Sequence, residues 1–356
     1  MSDSAKDRPS IYISSSPHIA SRVNTRILMC NVLLALLPVS VFGIVLYGVP
    51  ALLTMLVSVA AAKLAEVLFR KITRRDLRIG DPSAAVTGLL LALVLPPGTP
   101  LWMTALGAAF CIIAAKEFFG GLGANVFNPA LIGRAFLLMS FPAAATSWNV
   151  PRAFFGTAAA DALTGATPLG IIKLGGSIAD VGANLAASGL AVSGDYWSTI
   201  TSLFLGFRGG TIGESSILLI LVGFIYLLVS RTIDFRAPLA MIASVFIFSF
   251  LFGADPLFAL LNGGVLFGAV FMTTDYVTTP FGFKGKLIFG FGAGLVTVLI
   301  RQWGNYPEGV TYGILIMNAA TPFLNRLLQK KYGYVPQKKP VPQKEAAPNE
   351  AKGGAK

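Results

Sequence analysis

Ten apolar stretches constrain this chain of 356 residues more than any other feature of its sequence. An α-helix needs about 20 apolar residues to cross the hydrocarbon layer of a membrane. The predicted spans cover residues 27–48, 50–69, 84–97, 101–118, 129–146, 214–230, 237–253, 257–273, 287–301 and 310–328. Charged residues make up only 12% of the chain, against roughly 25% in soluble domains. The sequence therefore predicts an all-α polytopic membrane protein with ten transmembrane helices.

The basic residues are unevenly distributed between the predicted loops. If the N-terminus is cytoplasmic and the spans alternate, 23 of the 28 Lys and Arg residues are assigned to the cytoplasmic segments and the parts of the spans beside them. Such a positive-inside bias predicts a multi-pass membrane protein with both termini in the cytoplasm. The formal charge of +12 does not indicate a nucleic-acid partner, because no basic face interleaved with aromatic residues is present.

One long loop divides the chain into two halves. An N-terminal segment (1–26) precedes five spans (27–146), and five more spans (214–328) follow the long loop (147–213). The long loop is expected to lie outside the cytoplasm. The basic tail (329–356) is expected to be disordered and to touch anionic lipid. Because five is odd, the second half enters the membrane in the opposite orientation. This parity is typical of the inverted five-helix repeats of transporters.

The third span of each half is unusual in a matching way. Residues 84–97 are short and end in Pro96-Pro97-Gly98, and residues 257–273 contain Gly263, Gly264 and Gly268. Interrupted spans at equivalent positions indicate a cofactor or ion site near the middle of the membrane. Close helix packing at small residues is the alternative.

The long loop contains the most informative motif, Asp161-Ala162-Leu163-Thr164-Gly165-Ala166-Thr167-Pro168-Leu169. A residue before proline is biased towards extended backbone, so the hydroxyl of Thr167 is expected to be accessible. By itself this segment would be taken for an ordinary turn. The basic residues nearest to it, Arg152 and Lys173, are expected to be solvated surface charges.

Several blocks in order along residues 15–328 are similar to the RnfD family, the D-type membrane subunits of the Rnf electron-transport complex. That family is homologous to the B-type subunits of the sodium-pumping NADH:quinone oxidoreductase. Asp-x-x-Thr-Gly-Ala-Thr resembles the family's flavinylation motif. The other blocks are Ser16-Pro17-His18, Lys116-Glu117-Phe118-Phe119-Gly120-Gly121-Leu122-Gly123, Asn125, Asn128-Pro129-Ala130-Leu131, Gly213-Glu214-Ser215-Ser216, Thr273-Thr274-Asp275-Tyr276-Val277-Thr278-Thr279-Pro280, Gly304-Asn305-Tyr306-Pro307-Glu308-Gly309-Val310 and Met317-Asn318-Ala319-Ala320-Thr321-Pro322.

The resemblance implies a membrane subunit that carries FMN on Thr167 through a phosphoester and relays electrons in an ion-pumping ferredoxin:NAD oxidoreductase complex. The flavin-site residues around Thr167 would be Asp161, Thr164, Gly165, Ala166 and Pro168. A second, noncovalent flavin such as riboflavin is also possible. The implied partners are a flavin transferase, a second covalently flavinylated subunit and iron–sulfur subunits, in the lipid bilayer. Neither catalytic nor metal-ligating residues are predicted in this chain itself.

Three alternatives remain open: the B-type subunit of the quinone-reducing pump, a non-redox channel or transporter of similar fold, and an assembly scaffold without a redox role. The candidates for an ion path are Asp275, beside four threonines, and Glu117, beside Lys116. The alternative for Asp275 is a structural role as a helix-capping residue. The alternative for Glu117 is ionic packing at the end of a span. Lys63 and Glu66, three residues apart, are expected to pair with each other. Cys30 and Cys111 are expected to be small core residues.

Overall fold

A computed structural model describes residues 24–76, 80–148, 167–187, 195–206, 208–304 and 308–328. Within these ranges the chain is helical and contains no strand. The α-helices are α1 (Thr25–Tyr47), α2 (Val49–Ile72), α3 (Ser83–Leu93), α4 (Leu101–Ile112), α5 (Pro129–Ser140), α6 (Pro142–Ala145), α7 (Pro168–Lys173), α8 (Ile178–Ala187), α9 (Tyr196–Leu205), α10 (Ile217–Val229), α11 (Arg236–Leu251), α12 (Pro256–Leu261), α13 (Val265–Phe267), α14 (Phe283–Trp303) and α15 (Val310–Leu328).

The helices fit a polytopic membrane protein. Three of them, α1, α2 and α14, are long and apolar enough to cross a membrane by length and composition. Four shorter helices, α3, α5, α10 and α11, are also apolar. Every predicted span contains helix, but several are shorter than predicted, so the number of crossings stays a prediction. Large apolar side chains such as Leu64 and Val229 are exposed on the outside of the bundle, as expected of a surface that faces lipid.

The two interrupted spans are interrupted in the structure as well. Helix α3 ends at Leu93, before Pro96 and Pro97. The eighth predicted span is divided into α12, α13 and the π-helical segment Gly268–Met272, and Gly263 and Gly264 adopt left-handed backbone between α12 and α13. Because α12 ends inside the protein, its last carbonyl groups need donors from elsewhere in the chain.

Small residues allow the helices to pack closely. A Cβ atom at Gly88 of α3 would lie 2.8 Å from the backbone oxygen of Ser58 on α2. One at Gly290 of α14 would lie 2.2 Å from the backbone oxygen of Ala237 on α11. Such contacts are typical of helices that pack within a membrane, where close approach replaces the hydrophobic driving force.

The two ends of the bundle differ. At one end, which we call the loop end, the hydroxyl of Tyr47 at the end of α1 donates a hydrogen bond to the backbone oxygen of Arg208. Helices α7 to α9 also pack against α12 there, around Val181, Leu203 and Phe258. At the opposite end, α1 begins, α2 ends and α10 ends, with Asn31 donating to Thr232. The candidate flavin residue lies at the loop end.

Candidate functional site

Thr167 is the N-cap residue of α7. Its backbone is extended, with φ −69° and ψ 152°, and its Oγ1 atom accepts a hydrogen bond of 3.1 Å from the backbone N–H of Gly170. The predicted extended conformation before Pro168 is therefore confirmed. The remaining motif residues, Asp161, Thr164, Gly165 and Ala166, and also Arg152, lie outside the described residues, so their predicted roles stay predictions.

Helix α7 is held to the end of α14 by Lys173. The Nζ atom of Lys173 donates to the backbone oxygen of Arg301 over 2.6 Å and to that of Gly304. Lys173 is exposed, as expected of a solvated charge, and its ammonium group also binds the free carbonyl groups at the end of α14. This contact fixes where α7, and with it Thr167, lies on the bundle.

A small polar opening lies next to Thr167. Segments far apart in the sequence line this opening. They are the start of α7, the stretch that contains Arg208 and Glu214, the break after α12 at Asn262 and Gly263, and Glu308 before α15. Its polar residues besides Thr167 are Arg208, Glu214, Asn262 and Glu308. None of these side chains was associated with the flavin motif from the sequence alone.

Arg208 is 3% exposed and holds this region together. One of its terminal nitrogens, Nη1, donates to the backbone oxygen of Leu261 and, over 2.7 Å, to Oδ1 of Asn262. The other, Nη2, donates to the backbone oxygen of Glu214 over 3.0 Å. The guanidinium group thus binds the buried carbonyl end of α12.

Arg301, on α14, binds the same end of α12. Its Nη1 donates to the oxygen of Ala259 over 2.6 Å, and its Nη2 donates to the oxygens of Asn262 and Gly263 over 2.8 and 3.2 Å. A cation is favourable there because the carbonyl end of a helix carries partial negative charge. The interruption of the eighth span is therefore stabilised by two arginines from other parts of the chain.

A third arginine forms an ion pair beside these two. Arg134 of α5 binds the carboxylate of Glu308, just before α15. Burial raises the pKa of Glu308, although the charge of Arg134 opposes that shift. Burial likewise lowers the pKa of Arg208, against the attraction of Glu214.

Five charged residues therefore form one cluster at the loop end, which we call the arginine cluster: Arg134, Arg208, Arg301, Glu214 and Glu308. With both carboxyl groups ionised, three arginines and two glutamates leave one net positive charge. The Nε atoms of Arg208 and Arg301 and the Oε1 atom of Glu214 are buried without a hydrogen-bond partner in the described part of the chain. The cluster therefore carries an excess positive charge beside Thr167, and two of its N–H groups have no acceptor among the described residues.

The opposite end carries a second set of buried charges. Glu117 is fully buried and accepts from Arg70 over 3.0 Å, and Glu66 accepts from Lys116 over 2.8 Å. The predicted ionic packing of Glu117 at the end of a span is thus confirmed, with Arg70 as its partner and not the neighbouring Lys116. The predicted pairing of Lys63 with Glu66 is wrong, because Lys116 reaches Glu66 from the π-helical segment Ile113–Glu117.

Asp275 lies in a turn between Met272 and α14 and does not cap a helix. Its carboxylate accepts from the hydroxyl of Thr278 over 3.0 Å and from the backbone N–H of Val277. It lines a cavity at the opposite end. Other lining residues are Thr87, Lys116, Asn125, Asn128 and Phe271.

The two cysteines differ in position. Cys111 is buried as expected, whereas Cys30 is exposed on α1. The expectation of a core role is therefore wrong for Cys30, because an apolar run in a membrane protein has a lipid-facing side as well as a core side. Among the described residues no group of His, Cys, Asp and Glu has the arrangement of a metal site.

Comparison with known proteins places the chain in a family. Residues 12–333 match the NQR2, RnfD, RnfE family. The chain is 42% identical to the D subunit of the proton-translocating ferredoxin:NAD(+) oxidoreductase complex of Clostridium ljungdahlii, over 90% of this chain and 96% of the relative. It is 39% identical to the D subunit of the Na(+)-translocating ferredoxin:NAD(+) oxidoreductase complex of Acetobacterium woodii, over 92% and 97%.

A third relative, the D subunit of the ion-translocating oxidoreductase complex of Stutzerimonas stutzeri, is 38% identical over 88% of this chain and 94% of its own length. These matches extend over almost the whole length of each relative, and they include both halves of the bundle and the segment that carries Thr167. The resemblance noted from the sequence blocks is therefore confirmed. The chain belongs to the NQR2, RnfD, RnfE family.

Proposed function

We propose that this chain is the D subunit of an ion-translocating ferredoxin:NAD⁺ oxidoreductase complex and relays electrons within the bacterial inner membrane. The observation that carries this proposal is the identity of about two residues in five with such D subunits over nearly their full length. The names of these relatives favour this role over that of the B-type subunit in the quinone-reducing pump. Its partners are other subunits of the complex, among them iron–sulfur subunits and a second covalently flavinylated subunit.

The cofactor proposed for this chain is FMN, joined through its phosphate to Oγ1 of Thr167 by a flavin transferase. Such a phosphodiester keeps one negative charge, and the adjoining arginine cluster has an excess of one positive charge. Charge-assisted hydrogen bonds to a phosphate are among the stronger ones in proteins. In this proposal the excess positive charge offsets the charge of the tethered phosphate, and Arg208 is the cluster's cation at the opening beside Thr167.

The isoalloxazine ring supplies the redox chemistry when it is bound. The chain's own contribution is position. The Lys173 contact holds α7 on the end of α14, and Thr167 directs its Oγ1 towards the first turn of α7. This arrangement favours a flavin held at a fixed place, where its distance from neighbouring redox centres is defined.

The attachment is tested by expression with a flavin transferase, followed by ultraviolet fluorescence of the denatured chain on a gel and mass mapping of residues 153–173. The parent chain should fluoresce and carry the FMN mass on Thr167, and Thr167→Ala should be dark but still inserted in the membrane. Thr201→Ala, an exposed threonine on α9, is the matched control and should remain fluorescent. A fluorescent Thr167→Ala chain would refute the assignment.

Two inverted repeats of five helices, residues 27–146 and 214–328, are the proposed architecture. Two parallels support it. Asp81-Pro82 precedes α3 and Asp255-Pro256 begins α12, the third span of each half. In addition, α2 packs on α4 as α11 packs on α14, which are the second and fourth spans. With the N-terminus in the cytoplasm, this proposed architecture would leave residues 147–213 outside the cytoplasm.

A reporter fusion tests the sidedness. Alkaline phosphatase inserted after residue 190 should be active, and green fluorescent protein at the same site should be dark. Fusions at the C-terminus, after residue 356, should give the opposite result. A fluorescent fusion after residue 190 would place the loop in the cytoplasm and contradict the proposed orientation.

The cavity at the opposite end is the proposed site of a second, noncovalent flavin such as riboflavin. It combines the amide groups of Asn125 and Asn128 and the hydroxyl of Thr87 with the ring of Phe271. Amides and hydroxyls can bind the polar edge of an isoalloxazine ring, and aromatic and apolar side chains its faces. Acid extraction of the purified Thr167→Ala chain should release about one flavin per chain, and none if the cavity does not bind flavin.

Asp275 is the proposed residue of an ion path for Na⁺ or H⁺. It lines the same cavity, beside Thr274 and within hydrogen-bonding distance of Thr278. Oxygen ligands of this kind suit Na⁺, and a carboxyl group can also relay a proton. Glu117 is a weaker candidate because Arg70 already neutralises it. In the complete complex, Asp275→Asn should slow ion transport; unchanged transport would remove it from the path.

A further inference from the structure

Helix α9 is unusual for a helix on a protein surface because its ten residues, Tyr196–Leu205, include no charged side chain. One face packs inwards, where Ile200 and Leu203 join the small apolar cluster of the loop end. A surface helix normally has charged or polar residues on its other face. Tyr196 fixes the start of α9 by donating a hydrogen bond of 2.8 Å to Asp255, the N-cap residue of α12.

The outward face of α9 is apolar at both ends. Trp197 is 68% exposed and Leu205 is 46% exposed, and the hydroxyl residue Thr201 lies between them on the same side. These three residues are four apart, so they form one stripe about 12 Å long. The neighbouring α8 differs, because Asp180 lies on its exposed side. The exposed side of α8 is therefore charged, whereas that of α9 is not.

The stripe continues the lipid-facing surface of the bundle. Helix α9 packs on α10, whose Leu218 and Val222 are exposed in its first two turns. Two other tryptophans, Trp102 at the start of α4 and Trp303 at the end of α14, are also more than half exposed at this end. Tryptophan is enriched where a membrane meets water, because its ring is apolar and its indole N–H is polar.

Each of these three exposed tryptophans also packs against the ring of another aromatic residue. Trp102 packs edge-on against Phe141 with ring centroids 5.3 Å apart, and Trp303 against Phe252 at 5.0 Å. Trp197 packs in the same way on Tyr196 at 5.3 Å. The exposed indole groups therefore project at three places around the loop end.

We propose that the Trp197–Thr201–Leu205 face of α9 lies in the headgroup layer of the phospholipid bilayer. The helix then rests in the plane of the interface, with Ile200 and Leu203 towards the protein and Trp197 and Leu205 towards the acyl chains. This contact anchors the long loop to the membrane, and it depends neither on a flavin at Thr167 nor on which side of the membrane the loop occupies.

Spin labels on single cysteines test the proposal in the full chain, reconstituted in phospholipid nanodiscs. Cys30 and Cys111 are first replaced by alanine, and one label is then placed at Trp197→Cys or Leu205→Cys. Ala183→Cys, exposed on α8, is the matched control. Collision rates with oxygen, which concentrates in lipid, and with a water-soluble nickel chelate report where each label lies.

Labels at positions 197 and 205 should collide several times more often with oxygen, relative to the nickel chelate, than the label at position 183. Equal ratios at all three positions would place α9 in water and overturn the proposal. Low collision rates with both reagents would show that protein covers the face, which also overturns it. Circular dichroism of each labelled chain checks that it is folded.

Discussion

Removing the cation of the buried Arg70–Glu117 pair should destabilise the fold strongly. Arg70 donates to Oε1 of Glu117 from Nε over 3.2 Å and from Nη2 over 3.0 Å, and the Glu117 side chain is 0% exposed. Losing one partner of a buried pair costs about 3–5 kcal/mol, because the other charge stays buried and unpaired. Arg75 lies 4.0 Å from Oε2 of Glu117 and is partly exposed, so it offsets part of the loss. For Arg70→Met we therefore expect about 3 kcal/mol, the lower end of that range.

The free energy of unfolding of the full chain can be measured by adding denaturing detergent to folded chain in mild detergent, followed by circular dichroism. Lys71→Met, an exposed neighbour on the same helix, is the control and should change it by less than about 0.5 kcal/mol. Arg70→Met combined with Glu117→Gln should recover most of the loss, since no unpaired charge remains. A single variant as stable as the parent, or a double variant no better than the single one, would refute the reasoning.

Three further predictions concern other parts of the chain. In thermal melts, Gly206→Ala should destabilise the fold far more than Gly253→Ala, although both glycines have left-handed backbone. A Cβ atom added at position 206 would lie 1.4 Å from the backbone oxygen of Ser215, whereas one added at position 253 would meet nothing within 4 Å. Burial acts to raise the pKa of Asp234, but the hydrogen bonds and charges of Lys286 and Arg236 outweigh it and hold this pKa below its ordinary value. The resulting stability is present above the unfolded pKa of about 3.9 and is lost as the pH falls through the lower folded pKa, so Asp234→Asn should lose less melting temperature between pH 7 and pH 3 than the parent does. Lys173→Met should speed hydrogen exchange in α7 about tenfold, because two hydrogen bonds from a charged donor are lost; exchange at the parent rate would show that Lys173 does not hold α7.

Local features of this fold could be predicted from the sequence. Thr167 is extended because a following proline excludes the helical conformation, a constraint that acts between adjacent residues. The break in the eighth span follows from Gly263 and Gly264, whose left-handed backbone few other residues adopt. Apolar runs likewise locate the helices, although not their ends, because α3 stops well before the run that contains it does.

Long-range pairing could not be predicted in the same way. Arg208 and Arg301 are 93 positions apart, and in the sequence they resemble any loop or span-end arginine. They meet only because both bind the carbonyl end of α12. Sequence spacing predicts that Glu66 pairs with Lys63, the basic residue nearest to it on the same helix. In the fold Glu66 pairs with Lys116 instead, because the side chains of Glu66 and Lys116 are buried together. A buried charge takes the partner that the packing brings to it, which spacing along one helix does not reveal.

The balance of buried charge distinguishes the two ends of the bundle. At the opposite end, the buried residues Glu66 with Lys116 and Glu117 with Arg70 form two pairs whose charges cancel, and the partly exposed Arg75 lies 4.0 Å from Glu117. At the loop end, the arginine cluster keeps one positive charge in excess and leaves nitrogen donors unused. An excess charge away from water is costly unless a counter-charge is close. A phosphate on Thr167 would supply that counter-charge, so the loop end is expected to gain stability when the flavin is attached, and the opposite end is not.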